Sequence, residues 1–206
     1  MSQGKFIVIE GIDGTGKSTL SRRLKLKLEL ELGSQDVLVT HEPCSIIENT
    51  IRGLFKRSEG PLNPESMSVL FTADRLLHMD GTVIPALNQG AWVISDRHKL
   101  STLVYQTAMG ADAEALGVLC DVPSPNPDLT LVLDLDPQEA LKRMRKRNPN
   151  LDAYERQTEK QEEMRTLYRR WYDRFGAGVI LDANCDADEL AMRAVHAVLE
   201  HFEIGK

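Results

Sequence analysis

Closely spaced glycines near the start of the chain are followed by a lysine and a hydroxyl, in the pattern Gly11-x-x-x-x-Gly16-Lys17-Ser18. Glycines permit a tight turn whose backbone N–H groups point inward and form a cup for phosphate oxygens. Lys17 adds a mobile positive charge for β and γ phosphates, and Ser18 offers a hydroxyl to Mg²⁺. We therefore predict a phosphate-binding loop made of Gly11, Ile12, Asp13, Gly14, Thr15, Gly16, Lys17, Ser18 and Thr19.

The neighbours of this loop agree with its chemistry. Residues 6–9 are a short apolar run rich in β-branched side chains, which is typical of a buried parallel strand. Leu20, Leu24 and Leu28 then repeat at helical spacing. A strand, a glycine turn and a helix in this order are the context that a phosphate-binding loop needs. A glycine turn before an ordinary helix would not need Gly-Lys-Ser in register.

Apolar runs alternate with longer helical patterns along the chain, which indicates a parallel sheet with helices on both faces. The strands are predicted at residues 6–9, 37–40, 92–95, 129–133 and 179–181. The helices are predicted at residues 46–57, 64–88, 99–121 with a break near Gly110, 137–147, 154–174 and 186–203. The pattern predicts an α/β fold, with one P-loop domain over residues 1–206 built on a five-stranded parallel sheet.

Composition limits the classes of partner. The 206 residues carry 25 Lys and Arg against 31 Asp and Glu, so the net charge is −6 and gives no general affinity for nucleic acid or an anionic membrane. Cys44, Cys120 and Cys185 are odd in number and lack metal-ligand spacing, which favours a reducing compartment. No leader-like or membrane-spanning run is apparent in the sequence. We expect a soluble cytoplasmic protein.

Polar residues follow the apolar runs, and ligands bind at the carboxyl ends of the strands in such sheets. His41-Glu42-Pro43 follows the second run, Asp96-Arg97-His98 the third, and Asp134-Leu135-Asp136 the fourth. Asp96 can hold the water shell of a metal ion, and Arg97 can grip a phosphate bidentately. The alternative for this pair is a solvated salt bridge. We expect the four strand ends to meet at one cleft.

Phe71 and Arg75 are four residues apart on the helix predicted over residues 64–88, so they share a face. An aromatic plane and a directional donor suit a nucleobase pocket. The alternative is a core phenylalanine and a surface arginine. A second basic feature is the run from Lys142 to Arg147, which is either a solvated helix end favoured by the helix dipole or a phosphate clamp.

Together these segments resemble the thymidylate kinase family. The resemblance rests on residues 11–19, 42–43, 70–75, 96–98, 101–106 and 127–134, which occur in the family's order and span nearly the whole chain. It implies transfer of the γ-phosphoryl group of ATP to thymidine 5′-monophosphate (dTMP), with Mg²⁺, in a homodimer. Catalysis would then need positioning, together with charge screening by Lys17, Arg97, arginines of a lid and the metal, since the acceptor is already an anion.

The resemblance also implies roles in acceptor binding. Asp13 would lie by the sugar 3′-hydroxyl side of the monophosphate, Phe71 would stack on thymine, and Arg75 would bond its carbonyl. The remaining implied contacts are Glu42 and Pro43 near the sugar and metal, Arg52 and Arg97 on the phosphate, Ser101, Thr102 and Gln106 around the base, and Tyr105 where a 2′-hydroxyl would clash.

Residues at about 143–155 resemble the family's lid, a flap whose arginines close on ATP. Some members carry an arginine inside the phosphate-binding loop, but here Gly14 follows Asp13, so the lid would supply that cation. Arg143 and Arg147 share a helix face. We expect Arg143 near adenine and Arg147 at the phosphates, with Arg145 in reserve.

Two segments depart from the family pattern. Many members read Arg-Glu-Pro-Gly-Gly-Thr where residues 41–46 read His-Glu-Pro-Cys-Ser-Ile, so the acceptor phosphate could be approached differently and Arg52 gains importance. Cys44 there is either reactive or an inert packed thiol. The lid also reads Asp-Ala-Tyr-Glu at residues 152–155, without the arginine that often follows its aspartate.

Two other functions stay open at this point. A related kinase could act on deoxyuridylate, deoxyguanylate or a free deoxynucleoside, and a nucleoside would require a general base such as Glu42. A nucleotide-binding switch that signals by loop ordering is the other alternative. Guanine-binding switches usually carry an Asn-Lys-x-Asp element after a strand, and the sequence has none.

Overall fold

The computed structural model describes residues 4–33, 36–57, 62–122, 124–148 and 158–204. In this part of the chain the strands are β1 Lys5–Glu10, β2 Val37–His41, β3 Trp92–Asp96, β4 Leu129–Asp134 and β5 Ala177–Asp182. They form one sheet in the order β2-β3-β1-β4-β5, and every pairing is parallel. The predicted five-stranded parallel sheet is confirmed.

The helices are α1 Lys17–Leu32, α2 Glu48–Arg57, α3 Pro64–His78, α4 Ile84–Asn88, α5 Lys99–Ala108, α6 Ala113–Cys120, α7 Pro137–Arg147, α8 Thr158–Trp171 and α9 Ala187–His201. The break expected near Gly110 separates α5 from α6. The helix predicted from residue 154 is described from Thr158 onward, and residues 154–157 lie outside the described part. Within the described residues no helix is long and apolar enough to cross a membrane.

The helix predicted over residues 64–88 is interrupted by a π-helical turn, Met79–Val83. Pro85 lies in the first turn of α4 and has no N–H to donate to the carbonyl of Gly81, which its ring would also crowd in a continuous α-helix. The wider turn removes this conflict. It also keeps two apolar side chains of the turn in a buried cluster of Phe6, Val8, Met79, Val83 and Val93.

Side chains of β1 alternate between the two faces of the sheet. Phe6 and Val8 pack on the π-helical turn, whereas Ile7 and Ile9 join the main core with Leu24 of α1. Leu20 and Leu28 of the same helix are buried there as well, so the predicted apolar face of α1 is confirmed. The strand that carries the phosphate-binding loop is thus packed on both sides.

Strand register brings the polar strand ends together. Asp96 of β3 pairs with Ile9 of β1 on one side and with His41 of β2 on the other. The residues that follow these three strands therefore leave the sheet at one level and on one edge. The phosphate-binding loop, Glu42 and Arg97 all start from this edge.

Candidate functional site

The Lys17 ammonium lies inside the phosphate-binding loop. Its Nζ donates to the carbonyl oxygens of Gly11 at 2.9 Å and Ile12 at 2.8 Å, and it is 4.0 Å from the Asp13 carboxylate. Burial lowers the pKa of Lys17 to about 8, and the positive charge of Arg97 adds to that shift. At neutral pH the side chain is still mostly charged, as a phosphate ligand requires.

Gly14 is where the loop touches α7. Its φ is +85°, a region that favours glycine, and a Cβ placed there would lie 2.5 Å from the carbonyl oxygen of Ala140. A longer side chain at this position would push α7 away from the loop. The close packing explains why this loop carries no arginine of its own.

Ser18 and Asp96 present oxygen atoms beside the loop. Ser18 Oγ donates to Asp96 Oδ2 at 2.5 Å, while Asp96 Oδ1 is buried with no hydrogen-bond partner. Mg²⁺ accompanies nucleotides with few protein oxygens and several waters, so this donor set fits it. In the described part of the chain no three or more His, Cys, Asp or Glu side chains gather into a metal site.

Arg97 lies between the phosphate-binding loop and α5. Its Nη2 donates to Asp13 and, at 3.0 Å, to the hydroxyl of Tyr105, and its Nη1 donates to Ser101 Oγ at 3.0 Å. The Tyr105 hydroxyl donates in turn to the other Asp13 oxygen at 3.0 Å. The structure therefore brings these four sequence-predicted residues together.

Asp13 is the link between two cations. Its carboxylate contacts Arg97 directly and lies within ion-pair distance of Lys17. Burial acts to raise the pKa of Asp13, but the charges of Arg97 and Lys17 outweigh it and lower the pKa below its ordinary value. One ionised side chain thus joins the loop to the end of β3.

Glu42 is buried at the end of β2 among three basic side chains. Arg75 Nε donates to its Oε2 at 2.9 Å, and the Nδ1 atoms of His98 and His78 lie 3.0 and 3.4 Å from its Oε1. Burial acts to raise the pKa of Glu42, but Arg75 and His98 hold it well below its usual range. Glu42 is therefore a weak base.

The segment after β2 is fastened to α3. Asp74 accepts hydrogen bonds from the backbone N–H groups of Cys44 at 3.0 Å and Ser45 at 2.9 Å. His78 lies 2.8 Å from Thr40 Oγ1, and although its burial acts to lower its pKa, its contacts with Cys44 and Glu42 raise the pKa to about 9. Cys44 and Ser45 stand where the family pattern has two glycines, and here Asp74 fixes the backbone of both residues.

Of the residues expected around a base, Thr102 is in contact with Arg75. The Arg75 side chain is 2% exposed and donates to Thr102 Oγ1, so the alternative of a surface arginine is excluded. Gln106 is also buried, whereas Phe71 is half-buried with its ring 6.4 Å from the ring of Phe55. Arg75 is thus held by its two partners before any base is bound.

A cleft of about 910 Å³ opens at the carboxyl edge of the sheet, around the phosphate-binding loop. Its described lining on the β2 side includes Thr40, His41, Glu42, Arg52, Asp96 and Arg97, and its lining on the α7 and α9 side includes Arg143, Met144, Arg147, Cys185, Ala187 and Leu190. The volume is at the upper end for small-molecule sites. The residues expected around the base and sugar are not among the described residues that line this cleft, namely Phe71, Arg75, Ser101, Thr102, Tyr105 and Gln106.

The arginines of α7 lie on different faces of the helix, as their spacing predicts. Arg143 and Arg147 line the cleft, and Arg145 is exposed and is not among the described residues that line it. Arg143 Nη2 also donates to the carbonyl oxygens of Ala183 at 3.0 Å and Cys185 at 3.4 Å. Of the lid expected at residues 143–155, residues 149–155 lie outside the described part of the chain.

The fourth strand end differs from expectation. Asp134 accepts from Arg165 Nε at 2.7 Å and Nη2 at 3.0 Å, and Asp136 caps α7 by accepting from Gln138 N at 2.8 Å. Neither carboxylate is among the described residues of the cleft lining. The expectation that all four strand ends meet there is wrong for β4, because α8 supplies basic partners that sequence patterns did not place.

Three residues of the site region escaped the sequence reasoning. Asp74 fastens the segment after β2, His78 contacts Thr40 of β2 and Glu42 next to it, and Glu10 is a fully buried carboxylate at the end of β1. Glu10 could have been noticed because it is an ionisable residue directly after an apolar run. A charge buried at such a position needs several hydrogen-bond partners. Asp74 lies in the segment 70–75 that carries the resemblance, but nothing in the sequence indicates its contact with residues 44–45, and nothing marks His78.

The comparison with known proteins decides the family. The sequence model of thymidylate kinase matches residues 9–193. The chain is 33% identical over 208 residues to a probable thymidylate kinase of Pyrococcus abyssi, covering 98% of this chain and 99% of that protein. This chain belongs to the thymidylate kinase family.

Relatives from bacteria agree. The thymidylate kinase of Buchnera aphidicola is 38% identical over 165 residues, which is 77% of this chain and 76% of that protein. That of Nitratidesulfovibrio vulgaris is 43% identical over 148 residues, which is 69% of this chain and 68% of that protein. As a member of this family the chain is a phosphotransferase with ATP as its co-substrate.

Proposed function

We propose that this chain transfers the γ-phosphoryl group of ATP to the 5′-phosphate of dTMP, giving ADP and the diphosphate. The observation that carries the proposal is the double contact of Asp13, which lies between the loop cation Lys17 and the strand-end cation Arg97 in one cleft. Two anion-binding groups joined by one carboxylate suit a donor and an acceptor that are both phosphates.

The chemistry follows from the charges. The acceptor oxygen is already anionic, so the site needs cations in line with the transferred group rather than a base. Lys17 and Arg97 provide fixed positive charge there, and such preorganised charge is the main source of phosphoryl-transfer catalysis. A free nucleoside acceptor would need a base, and Glu42, with its lowered pKa, is poorly suited to that task.

For the acceptor we assign Arg97 and Arg52 to the phosphate and Asp13 to the sugar hydroxyl. Arg52 supports this assignment because it lines the cleft with an exposed side chain, whose Nε donates to the half-buried Glu48 at 2.6 Å. The base would stack on Phe71 and accept a hydrogen bond from Arg75. The other proposed acceptor contacts are Glu42, Pro43, Ser101, Thr102, Tyr105 and Gln106.

For the metal we assign Ser18 and Asp96. The Ser18 hydroxyl and the unpaired Asp96 Oδ1 would hold a Mg²⁺ ion or its waters. When bound, the ion would neutralise charge on the β and γ phosphates. Asp96 lies at the end of a buried strand, so its carboxylate is fixed in place.

The lid assignment predicts different effects for two neighbouring arginines. Arg147→Ala should lower kcat by about 100-fold with little change in the KM for dTMP, because Arg147 would screen the charge that develops in transfer. Arg145→Ala is the matched control and should stay near wild type. Equal losses in the two variants would contradict the assignment of Arg147, and steady-state rates of ADP formation measure both.

The acceptor itself is tested by supplying ATP and Mg²⁺ with dTMP, deoxyuridylate, deoxyguanylate or thymidine. We expect kcat/KM to be highest for dTMP and about 10-fold lower for deoxyuridylate, which lacks one methyl group. Without an acceptor, ADP should hardly form. Faster turnover of thymidine than of dTMP would overturn the proposal, and so would hydrolysis that ignores the acceptor, as in a switch protein.

We also propose that the chain is one cytoplasmic domain that acts as a homodimer. The single sheet that joins all described strands supports one domain. Val69 and Leu77 of α3 are 58% and 46% exposed, and apolar side chains of this kind suit a helix-to-helix contact with a second copy. Light scattering should give twice the chain mass of 23.1 kDa, and a monomer mass would contradict the dimer.

A further inference from the structure

Glu10 is a buried carboxylate that accepts from four donors on two other elements. Its Oε1 accepts from the backbone N–H groups of His98 at 2.8 Å and Ser101 at 3.1 Å. Its Oε2 accepts from Ser101 Oγ at 2.5 Å and from the Tyr168 hydroxyl at 3.2 Å. Burial raises the pKa of Glu10, while bonds from Ser101 and His98 and the charge of Arg97 oppose the rise.

The two backbone bonds make Glu10 a cap for α5. The N-cap residue of that helix, His98, provides no side-chain bond to the first turn. The N–H groups of His98 and Ser101 donate instead to a carboxylate from β1, which also suits the positive end of the helix. The first turn of α5 is therefore fixed to the strand that carries the phosphate-binding loop.

The turn that Glu10 holds includes a strained residue. Arg97 has a φ of +78°, which is uncommon for any residue other than glycine. Such a conformation persists when surrounding bonds determine it. Here Arg97 N donates to Ile9 O at 2.9 Å, and Ser95 Oγ donates to Arg97 O at 2.8 Å. Glu10 accepts from the backbone N–H of the next residue, His98.

Glu10 also sets the direction of the bonds around Ser101. A carboxylate only accepts, so the Ser101 proton points to Glu10 and a lone pair of Ser101 Oγ is left for Arg97 Nη1. A glutamine at position 10 would keep its oxygen on the two backbone N–H groups, because these cannot reverse. Its NH₂ would then face Ser101 and Tyr168, and donors would exceed acceptors around Arg97.

We infer that Glu10 is a positioning residue for Arg97, acting through the strained turn and the Ser101 hydroxyl. The inference rests on the proposed function, in which Arg97 binds the acceptor phosphate. Glu10 itself contacts no ligand in this scheme. It joins β1, α5 and α8 next to Ser101, which orients the Arg97 guanidinium.

A double-mutant cycle tests the inference. Glu10→Gln should lower kcat with dTMP by about 100-fold, as expected for a misplaced catalytic group, with the KM for ATP nearly unchanged. In an Arg97→Ala background the same substitution should change kcat less than about 3-fold, since its effect passes through Arg97. An equal loss in both backgrounds would overturn the inference.

Two further variants complete the design. Asp112→Ala removes the carboxylate that caps α6, which accepts from Ala115 N at 2.8 Å, and should lower the Tm but not kcat. If Glu10→Gln does not fold, Ser101→Ala cuts the same link while leaving both backbone bonds. Its loss of kcat should show the same dependence on Arg97, whereas loss of its proposed base contact would change the KM for dTMP. If the wild type prefers another acceptor, the proposed function is wrong. The inference about Glu10 is then tested by the same cycle with the preferred acceptor.

Discussion

Arg97→Ala is expected to reduce kcat/KM for dTMP by about 1000-fold, the upper end of losses for one preorganised donor. Arg97 is the residue in contact with Asp13, Ser101 and Tyr105 at once, so its guanidinium is held rigidly where an acceptor phosphate would lie. The dissociation constant for ATP, measured by calorimetry without an acceptor, should change less than about 3-fold because Lys17 and the loop stay intact.

Two matched variants separate position from charge. Arg97→Lys keeps the charge, but its single nitrogen cannot occupy the positions of both Nη1 and Nη2, so it should recover less than about a tenth of the lost activity. Arg22 also lines the cleft, and its Nε donates only to Ser18 O, at 2.9 Å, among the bonds described. Arg22→Ala should cost little, and a loss as large as that of Arg97→Ala would mean that net positive charge matters rather than geometry.

The phosphate-binding loop was predictable because its chemistry is local. Nine consecutive residues contain the turn, the cation and the hydroxyl, and the adjacent strand and helix carry their own periodicity. Strand ends could be placed at one edge because parallel strands share a direction. The same rule failed at Asp134, since partners from α8 decide where that carboxylate binds.

The buried network around Glu42 could not be predicted from sequence. Its members His78 and His98 lie 36 and 56 residues away along the chain, and nothing in either segment indicates that they face one carboxylate. Glu10 is similar, because its partners lie on α5 and α8. Long-range polar contacts of this kind depend on packing rather than on local pattern.

The π-helical turn in Met79–Val83 is an intermediate case. One helix was predicted over residues 64–88, although Pro85 lies inside it and a proline in that position breaks or kinks a helix. The pattern does not say whether the helix ends or widens. The burial of Met79 and Val83 against β1 favours the wider turn, because it keeps both side chains on the sheet.

Arg75→Ala is expected to have two large effects, one on folding and one on the acceptor. It leaves the Glu42 carboxylate buried without its main cation, which typically costs about 3 to 5 kcal/mol of unfolding free energy. It should also weaken dTMP binding by about 100-fold, because a buried base carbonyl would lose a charged donor. ATP binding should hardly change. Titration calorimetry with ATP and with dTMP measures the two affinities separately.

Glu42→Gln supplies the partner for a cycle with Arg75→Ala. With the carboxylate neutralised, Arg75→Ala should destabilise the fold much less, while its effect on dTMP affinity should remain. Acid unfolding gives a second readout. Because the folded pKa of Glu42 is lowered, its contribution to stability is complete above its unfolded value near 4.3 and is lost as pH falls below it, and the Glu42→Gln variant should lack that loss.

If the Arg75→Ala variant is too unstable to assay, Arg75→Lys keeps a charge beside Glu42 and isolates the base contact. Arginine contacts Glu42 and Thr102 through two different nitrogens, Nε and Nη2, whereas lysine has one. A lysine placed to pair with Glu42 lacks the fork that would reach the base, so the KM for dTMP should rise while the fold is largely retained. Unchanged affinity for dTMP in a folded Arg75→Lys protein would place base recognition elsewhere and reduce Arg75 to a structural partner of Glu42.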